Sequence, residues 1–253
     1  AVAQAATWRE YRETILASHV GTLQVPEDMR PGQLVREVAG KKILRSAGIM
    51  VPEGEQAHGS TAPAVARNIG FPVVLKMMGS KLVHKTEAGA VALALKSESE
   101  VTTALATMQA AVVAYDPTAL TDDFLIEAHV PHPLAEMVVG LRRDPQFGWS
   151  LTLGSGGIYV ELLQDTKTLL LPTDGRQIVK AIRSLKLFAL LDGFRNRPKT
   201  DLTSLSAQIL SLCHFVQNTQ NHLQEIEINP LFIYETHGLA VDALVRCDAV
   251  PPV

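Results

Sequence analysis

Two cysteines in 253 residues, Cys213 and Cys247, are too few for a disulfide framework and stand in no metal-ligand spacing. A pair of ordinary thiols fits a reducing, cytoplasmic setting. Long hydrophobic runs are also missing. Apolar residues make up 47% of the chain, yet no stretch is long enough to span a bilayer. Charge of one sign is missing too: the 23 basic and 26 acidic side chains leave a net charge of −3, which argues against a polyanion-wrapping surface. No internal repeat or low-complexity tract is present. Ala1-Val2-Ala3 could end a cleavage site, but the hydrophobic region that would establish one is absent, and we expect a processed or excised cytoplasmic chain.

The length allows one large domain or two small ones. Residues 6–20 read as a short amphipathic helix. Residues 21–33, with two prolines and two glycines, read as a linker. Helices are expected over 34–47, 62–68, 97–114, 174–191 with a break near Ser184, and 202–218 capped by Thr200 or Asp201. Ser97 and Glu100 form a capping box. Strands are expected from the GIMVP phrase onward, then over 71–78, 90–96, 124–130, 134–141, 151–157, 226–234 and 239–246. Helices alternate with strands, yet several strands follow one another directly. This combination predicts an α+β fold with mixed sheets and antiparallel pairs.

The central stretch is FPVVLKMMGSKLVHKTEAGAV, residues 71–91. Lys76 sits near the end of its strand and can aim a compact charge at phosphate oxygens. A lysine snorkelling at a sheet edge is the plainer alternative. In the following loop His84 is flanked by Lys81 and Lys85. An imidazole with two cations on a loop suits a group that meets phosphate. The other histidines at 129, 132, 214, 222 and 237 have no ligand spacing.

The last hairpin, EIEINPLFIY and GLAVDALV around Glu235-Thr236-His237-Gly238, permits a derivation from spacing. A four-residue loop centred there pairs Tyr234 with Leu239 and Leu231 with Asp242. Cross-strand partners share a face, so Glu227, Asn229 and Asp242 point the same way. Oxygen ligands that leave room for phosphate suit Mg²⁺. A register slip of one residue would send Asp242 to the other face, and a solvated sheet face remains the alternative.

These phrases, with Arg143-Asp-Pro-Gln-Phe-Gly148, Gly154-Ser-Gly-Gly157 and Asp192-Gly-Phe-Arg-Asn-Arg-Pro198, occur in one order over about 35–246. The chain resembles the ATP-grasp subunit or domain of ADP-forming (NDP-forming) acyl-CoA synthetases of the acetate–CoA ligase type, related to the succinyl-CoA synthetases. The resemblance implies an ATP-grasp fold of two α+β subdomains holding ATP between them. We set the first subdomain at 34–126 and the second at 127–253, after an N-terminal segment of 1–33.

The resemblance further implies ATP and Mg²⁺ as cofactors and a CoA-binding subunit or domain as partner. His84 would carry a phosphoryl group between partner and nucleotide. Lys76 would meet the ATP phosphates, Glu127 and Val130 the adenine edge through their main chain, and Glu136 the ribose or phosphates. Gly156 and Gly157 would offer N–H groups to phosphate. Asn229 and Asp242, supported by Glu227, would hold the metal. Lys85, Glu161 and Arg195 would support the site. Departures from the family phrases are Glu87 for Asp, Ala90 for Gly, Trp149 for Pro, and Asn196 for Gly. Asn tolerates the left-handed backbone such a turn needs. Nothing in the chain looks like a CoA-binding Rossmann region, so the acid and CoA are expected on the partner. A different reading, a regulatory ATP-grasp module like that of protein lysine acetyltransferases, would bind a ligand and turn nothing over.

Overall fold

The computed structural model describes residues 34–35, 37–82, 84–157, 165–218 and 223–247. The helix expected over 6–20 and the linker at 21–33 lie outside the described residues. In chain order the elements are β1 (Leu34–Val35), α1 (Glu37–Ser46), β2 (Gly54–His58), α2 (Ala62–Ile69), β3 (Val73–Met77), β4 (Val91–Leu95), α3 (Glu98–Tyr115) and β5 (Asp123–Ala128). Then follow β6 (Ala135–Asp144), β7 (Gly148–Ser155), β8 (Thr166–Leu170), α4 (Gly175–Arg183), α5 (Phe188–Leu191), α6 (Leu202–Asn218), β9 (Leu223–Ile233), β10 (Gly238–Ala240) and β11 (Ala243–Cys247). No helix among the described residues is long and apolar enough to cross a membrane.

The chain divides into two units, one of residues 52–132 and one of residues 1–51 with 133–253. The division differs from the expected boundary at 126/127. Residues 34–51 belong with the C-terminal half because β1 pairs with β11, Leu34 opposite Arg246 and Val35 opposite Val245. The GIMVP phrase makes an isolated bridge, Met50 with Leu239, in place of a full strand. Ile49 and Leu44 are buried in the larger unit's core.

The smaller unit is a four-stranded antiparallel sheet, β2-β5-β3-β4. Val73, Leu75, Met77, Phe124 and Ile126 alternate onto one face and pack with Ala66 of α2 and Val101, Leu105, Met108 and Val112 of α3. The spacing of those α3 residues gives one helical stripe. Ser97 caps α3 by accepting the Glu100 N–H at 3.2 Å, and Glu100 reaches back to the Lys96 N–H at 2.8 Å, a variant of the expected box.

The larger unit is a seven-stranded sheet, β1-β11-β9-β6-β7-β8, with β10 also on β9. Met137, Val139, Leu141, Leu151, Leu153, Ile226, Ile228, Leu231 and Ile233 bury one face against Leu44 of α1, Ile178 and Ile182 of α4, and Leu205, Ile209 and Leu212 of α6. The break expected near Ser184 is present: α4 starts at the Asp174 cap, which accepts the Gln177 N–H at 2.8 Å, and Ser184 is its C-cap. The RDPQFG phrase is the β6–β7 turn. Asp144 Oδ1 accepts the Gln146 and Phe147 N–H groups at 2.8 and 2.9 Å, and Gly148 takes φ +76°.

Candidate functional site

In the larger unit the site residues stand on the sheet face away from that core. Glu227 lies opposite Leu244 on one side and Gly140 on the other. Its neighbours Ile226 and Ile228 point inward and are fully buried, so Glu227 and Asn229 point outward. Asp242 precedes Ala243, the buried partner of Ile228, and faces outward with them.

The hairpin register differs from the expected one by two residues. Gly238, Leu239 and Ala240 pair with Ile233, Phe232 and Leu231. The turn is shorter because Tyr234 donates its N–H to His237 O at 2.9 Å and the two rings stack at 5.0 Å. Only Glu235 and Thr236 remain in the loop. Ala243 with Ile228 continues the same offset, which puts Asp242 across from Asn229 and not diagonal to it. Leu231, the expected partner of Asp242, is buried in the core with Ile228, so the face turns over between them, and Asp242 shares the face of Asn229 and not of Leu231.

These groups interact. Burial pushes the Glu227 carboxyl above its ordinary range, the charges of Glu225 and Asp242 push the same way, and a hydrogen bond from Asn229 and the charge of Arg246 oppose them. Arg246 Nε is 3.2 Å from Glu225 Oε2. Asn229 Oδ1 accepts the Gly157 N–H at 3.2 Å, and Asp242 Oδ1 accepts the Ala243 N–H at 2.8 Å. Two carboxylates and an amide on one half-buried face, with burial and like charge raising the Glu227 carboxyl, fit a hard divalent cation such as Mg²⁺, whose charge would offset that repulsion. Among the described residues no three His, Cys, Asp or Glu side chains converge as a metal site; the third oxygen here is an amide.

Gly156 and Gly157 bring the turn after β7 against this face. The Gly156 N–H donates to Glu136 O at 2.8 Å. A side chain at Gly156 would meet the Met137 backbone at 2.6 Å, and one at Gly157, whose φ is +72°, would run into Glu136 Oε2. Both N–H groups are thus spent inside the protein, on Glu136 and Asn229, where the sequence reading expects them on phosphate. Glu161 lies outside the described residues. Nearby Asp165 is nearly buried. It accepts Ser155 Oγ at 2.9 Å and the Leu187 N–H at 3.2 Å. Burial pushes its carboxyl up, but these bonds, the Lys186 N–H and the Lys186 charge hold it below the ordinary range. It joins the turn to α5 as an anchor.

In the smaller unit Lys76 and Glu127 meet. Lys76 pairs with Leu125 and Val74 with Glu127, so the two charges are diagonal neighbours on the face away from the core. Lys76 Nζ lies 3.0 Å from Glu127 Oε2. Gly54, opposite Glu127, makes room: a Cβ there would meet Glu127 Cγ at 2.7 Å. Glu127 acts through its side chain as well as its position in an inner strand, a role the sequence reading missed. Val130 follows the strand's end at Ala128. His84 is exposed at the start of a tight loop: Ala88 N–H bonds His84 O at 3.1 Å and Ala90 N–H bonds Lys85 O at 2.8 Å. Lys81 Nζ donates to Thr118 Oγ1 at 2.7 Å, and Lys85 is half-buried.

Arg195 is exposed, over the Phe194 ring at 5.2 Å. The left-handed turn expected from Asn196 is present, with φ +63° there and +53° at Arg195.

The profile of the ATP-grasp domain matches residues 29–247. The β subunit of acetate–CoA ligase (ADP-forming) I of Pyrococcus furiosus is 33% identical over 208 residues, 82% of this chain and 89% of that one. Trans-feruloyl-CoA synthase of an unknown prokaryotic organism is 35% identical over 215 residues, 84% of this chain. The chain spans 30% of that synthase's length. Acetyl-coenzyme A synthetase 1 of Ca. Korarchaeum cryptofilum, solved with coenzyme A and Ca-AMPCP, superimposes with a TM-score of 0.79 at 30% identity, covering 85% of this chain and 93% of that one. The same protein with Mg-AMPPCP and its phosphohistidine segment pointing towards the nucleotide binding site gives a TM-score of 0.72 at 28% identity, with the same coverage of 85% and 93%.

Proposed function

Because the chain belongs to the ATP-grasp family of ADP-forming acyl-CoA synthetases, we propose that it is the nucleotide-handling component of such an enzyme. With a CoA-binding partner it interconverts a carboxylic acid, CoA and ATP with acyl-CoA, ADP and phosphate. The observation that carries the reading is the cluster of Glu227, Asn229 and Asp242 on one face, with Gly157 bonded to Asn229. Asn229 and Asp242 hold Mg²⁺, and Glu227 supports them. The ion, when bound, neutralises charge on the nucleotide phosphates.

In the smaller unit Lys76, its ammonium oriented by Glu127, offers charge to phosphate oxygens. Glu127 and Val130 also present main-chain groups to the adenine edge. In the larger unit Glu136 meets the ribose or phosphates, and Gly156 and Gly157 shape the turn beside it. Lys85, Glu161 and Arg195 are supporting groups. His84 is the phosphoryl carrier: attack by an ADP oxygen forms the new P–O bond as the P–N bond breaks and the imidazole nitrogen keeps the electron pair. The reverse step phosphorylates His84. Its exposure on a tight loop and the phosphohistidine segment named in the Korarchaeum relative support this role.

The partner binds CoA and the acid, in line with the β-subunit relative, and the complex works in the cytoplasm. The relatives described above are ligases, so the regulatory-module reading gains no support from them. The test is transfer of labelled γ-phosphate from ATP·Mg²⁺ to the chain together with its CoA-binding partner. An acid-labile, base-stable label that disappears in His84→Ala and Asp242→Ala is expected. A label that survives His84→Ala sinks the carrier role.

A further inference from the structure

We infer that Lys41, braced by Glu37, is a positioning residue for the Asp242 carboxylate and, through it, for divalent-cation binding. The inference rests on the metal reading above. It starts from a joint in the sheet. β10 ends with Ala240 opposite Leu231, and β11 begins with Ala243 opposite Ile228. All four of those residues are buried. In a regular strand, residues three apart face opposite sides. Here Val241-Asp242 on one strand and Asn229-Pro230 on the other must therefore turn the face over. The direction of Asp242 is set by the backbone of this joint and not by the pleat.

The joint is held from its own sheet by the Val241 N–H donating to Pro230 O at 3.3 Å, beyond the usual range for a strong bond. A side chain from another element supplies a shorter one: Lys41 Nζ donates to Val241 O at 2.9 Å. That carbonyl belongs to the peptide unit that contains the Asp242 nitrogen. Lys41 Nζ also lies 2.8 Å from Glu37 Oε1, with side chains 5% and 2% exposed. The two charges are four residues apart on α1 and so share one helix face.

Helix α1 is itself fixed. Ile43 and Leu44 are in the core. Gly40 lets the helix lie close to β11, since a Cβ there would already touch Val245 Cγ2 at 3.4 Å. A helix seated on a sheet needs no buried ion pair, and apolar residues of the same volume commonly serve stability as well or better. A charged bracket closing on the carbonyl just before Asp242 has the geometry of an outer-shell support. Such supports fix ligand direction and are worth about 10–100-fold in metal affinity.

The experiment measures Mn²⁺ affinity of the full chain by electron paramagnetic resonance, with and without AMPPCP. It compares wild type, Glu37→Gln/Lys41→Met, Asp242→Asn and Leu44→Ala. The double variant removes both charges together, so neither is left buried alone. It is expected to weaken Mn²⁺ binding about tenfold while metal-free AMPPCP binding stays unchanged. Leu44→Ala, a core truncation on the same helix, lowers melting temperature but is expected to leave Mn²⁺ affinity unchanged. Equal weakening by Leu44→Ala, or a folded double variant with wild-type affinity, overturns the proposal. If Asp242→Asn leaves affinity unchanged, the metal reading itself falls and takes the proposal with it. If Asp242→Asn weakens binding and the bracket variant does not, only the bracket falls. Should the double variant not fold, Lys41→Arg, which keeps the charge and moves the donors, is read against the same outcomes.

Discussion

Lys76 and Glu127 form an ion pair of 3.0 Å between strands that are not sequence neighbours, with side chains only 9% and 4% exposed. Losing one partner of such a pair leaves an uncompensated charge and costs about 3–5 kcal/mol. Lys76→Met and Glu127→Gln are each expected to lower the urea midpoint. Their combination should recover much of that loss, because no lone charge remains. Phosphoryl labelling should not recover with it, because the cation offered to phosphate is gone. Urea titration beside the labelling assay separates the two effects. A double variant labelled as well as wild type would confine the pair to a structural role.

On the open face, Glu227 has its carboxyl raised, first by burial and then by Glu225 and Asp242. A folded-state pKa above the unfolded one contributes stability that is complete below the unfolded pKa and lost as pH rises through the folded pKa. Without metal, ionised Glu227 is therefore a burden at neutral pH. Glu227→Gln is expected to raise the metal-free melting temperature at pH 7 and to give no gain at acid pH. Added Mg²⁺ should stabilise the wild type more than the variant, since binding to the folded state adds stability. Thermal melts at two pH values, with and without Mg²⁺, decide this. Equal Mg²⁺ shifts in both proteins would remove Glu227 from the metal site.

What was legible from the chain depended on range. The shared face of Glu227, Asn229 and Asp242 came from parity within one hairpin. The structure keeps the three together for a further reason: Ile228 and Leu231, three apart, are both buried, so the face turns over at Asn229-Pro230 and parity alone does not place Asp242. Strands β2 and β8 were missed. Both are sheet edges, GEQAH and TKTLL, with most side chains exposed, so neither shows the apolar alternation that marks a half-buried strand. The Lys76–Glu127 pair needed the strand order β5-β3, and periodicity does not report strand order. A clue existed in two charged residues placed in otherwise apolar strands. The Glu37–Lys41 pair was also visible as an i,i+4 spacing, but nothing local said that it would be buried.

Asp165 links Ser155 to the start of α5, and its hydrogen bonds outweigh the upward push of burial. A depressed folded pKa contributes stability that is present above the unfolded value and lost as pH falls through the folded value. Stability of the wild type is expected to drop at acid pH, below the ordinary carboxylate range. Asp165→Asn should be less stable at pH 7, by about 1–3 kcal/mol for bonds disturbed in a buried site. It should also show a shallower fall with acid. Urea unfolding across pH measures both. Parallel curves for the two proteins would mean that Asp165 is not the group responsible.

The two glycines beside the open face make different demands, and substitution can tell them apart. A methyl at Gly156 would meet the Met137 backbone at 2.6 Å, and backbone in an inner strand has nowhere to go. A methyl at Gly157 would meet the end of the Glu136 side chain, which can rotate away, but its φ of +72° remains costly for an L-residue, by roughly 1–3 kcal/mol. Gly156→Ala is therefore expected to be the more destabilising. Pairing it with Glu136→Ala should bring no relief. Gly157→Ala should be partly relieved by Glu136→Ala, since the collision goes and the backbone strain stays. A double-mutant cycle of melting temperatures measures both couplings. Coupling of Glu136 to Gly156 as large as to Gly157 would contradict the arrangement, because only the Gly157 methyl is placed to strike that carboxylate.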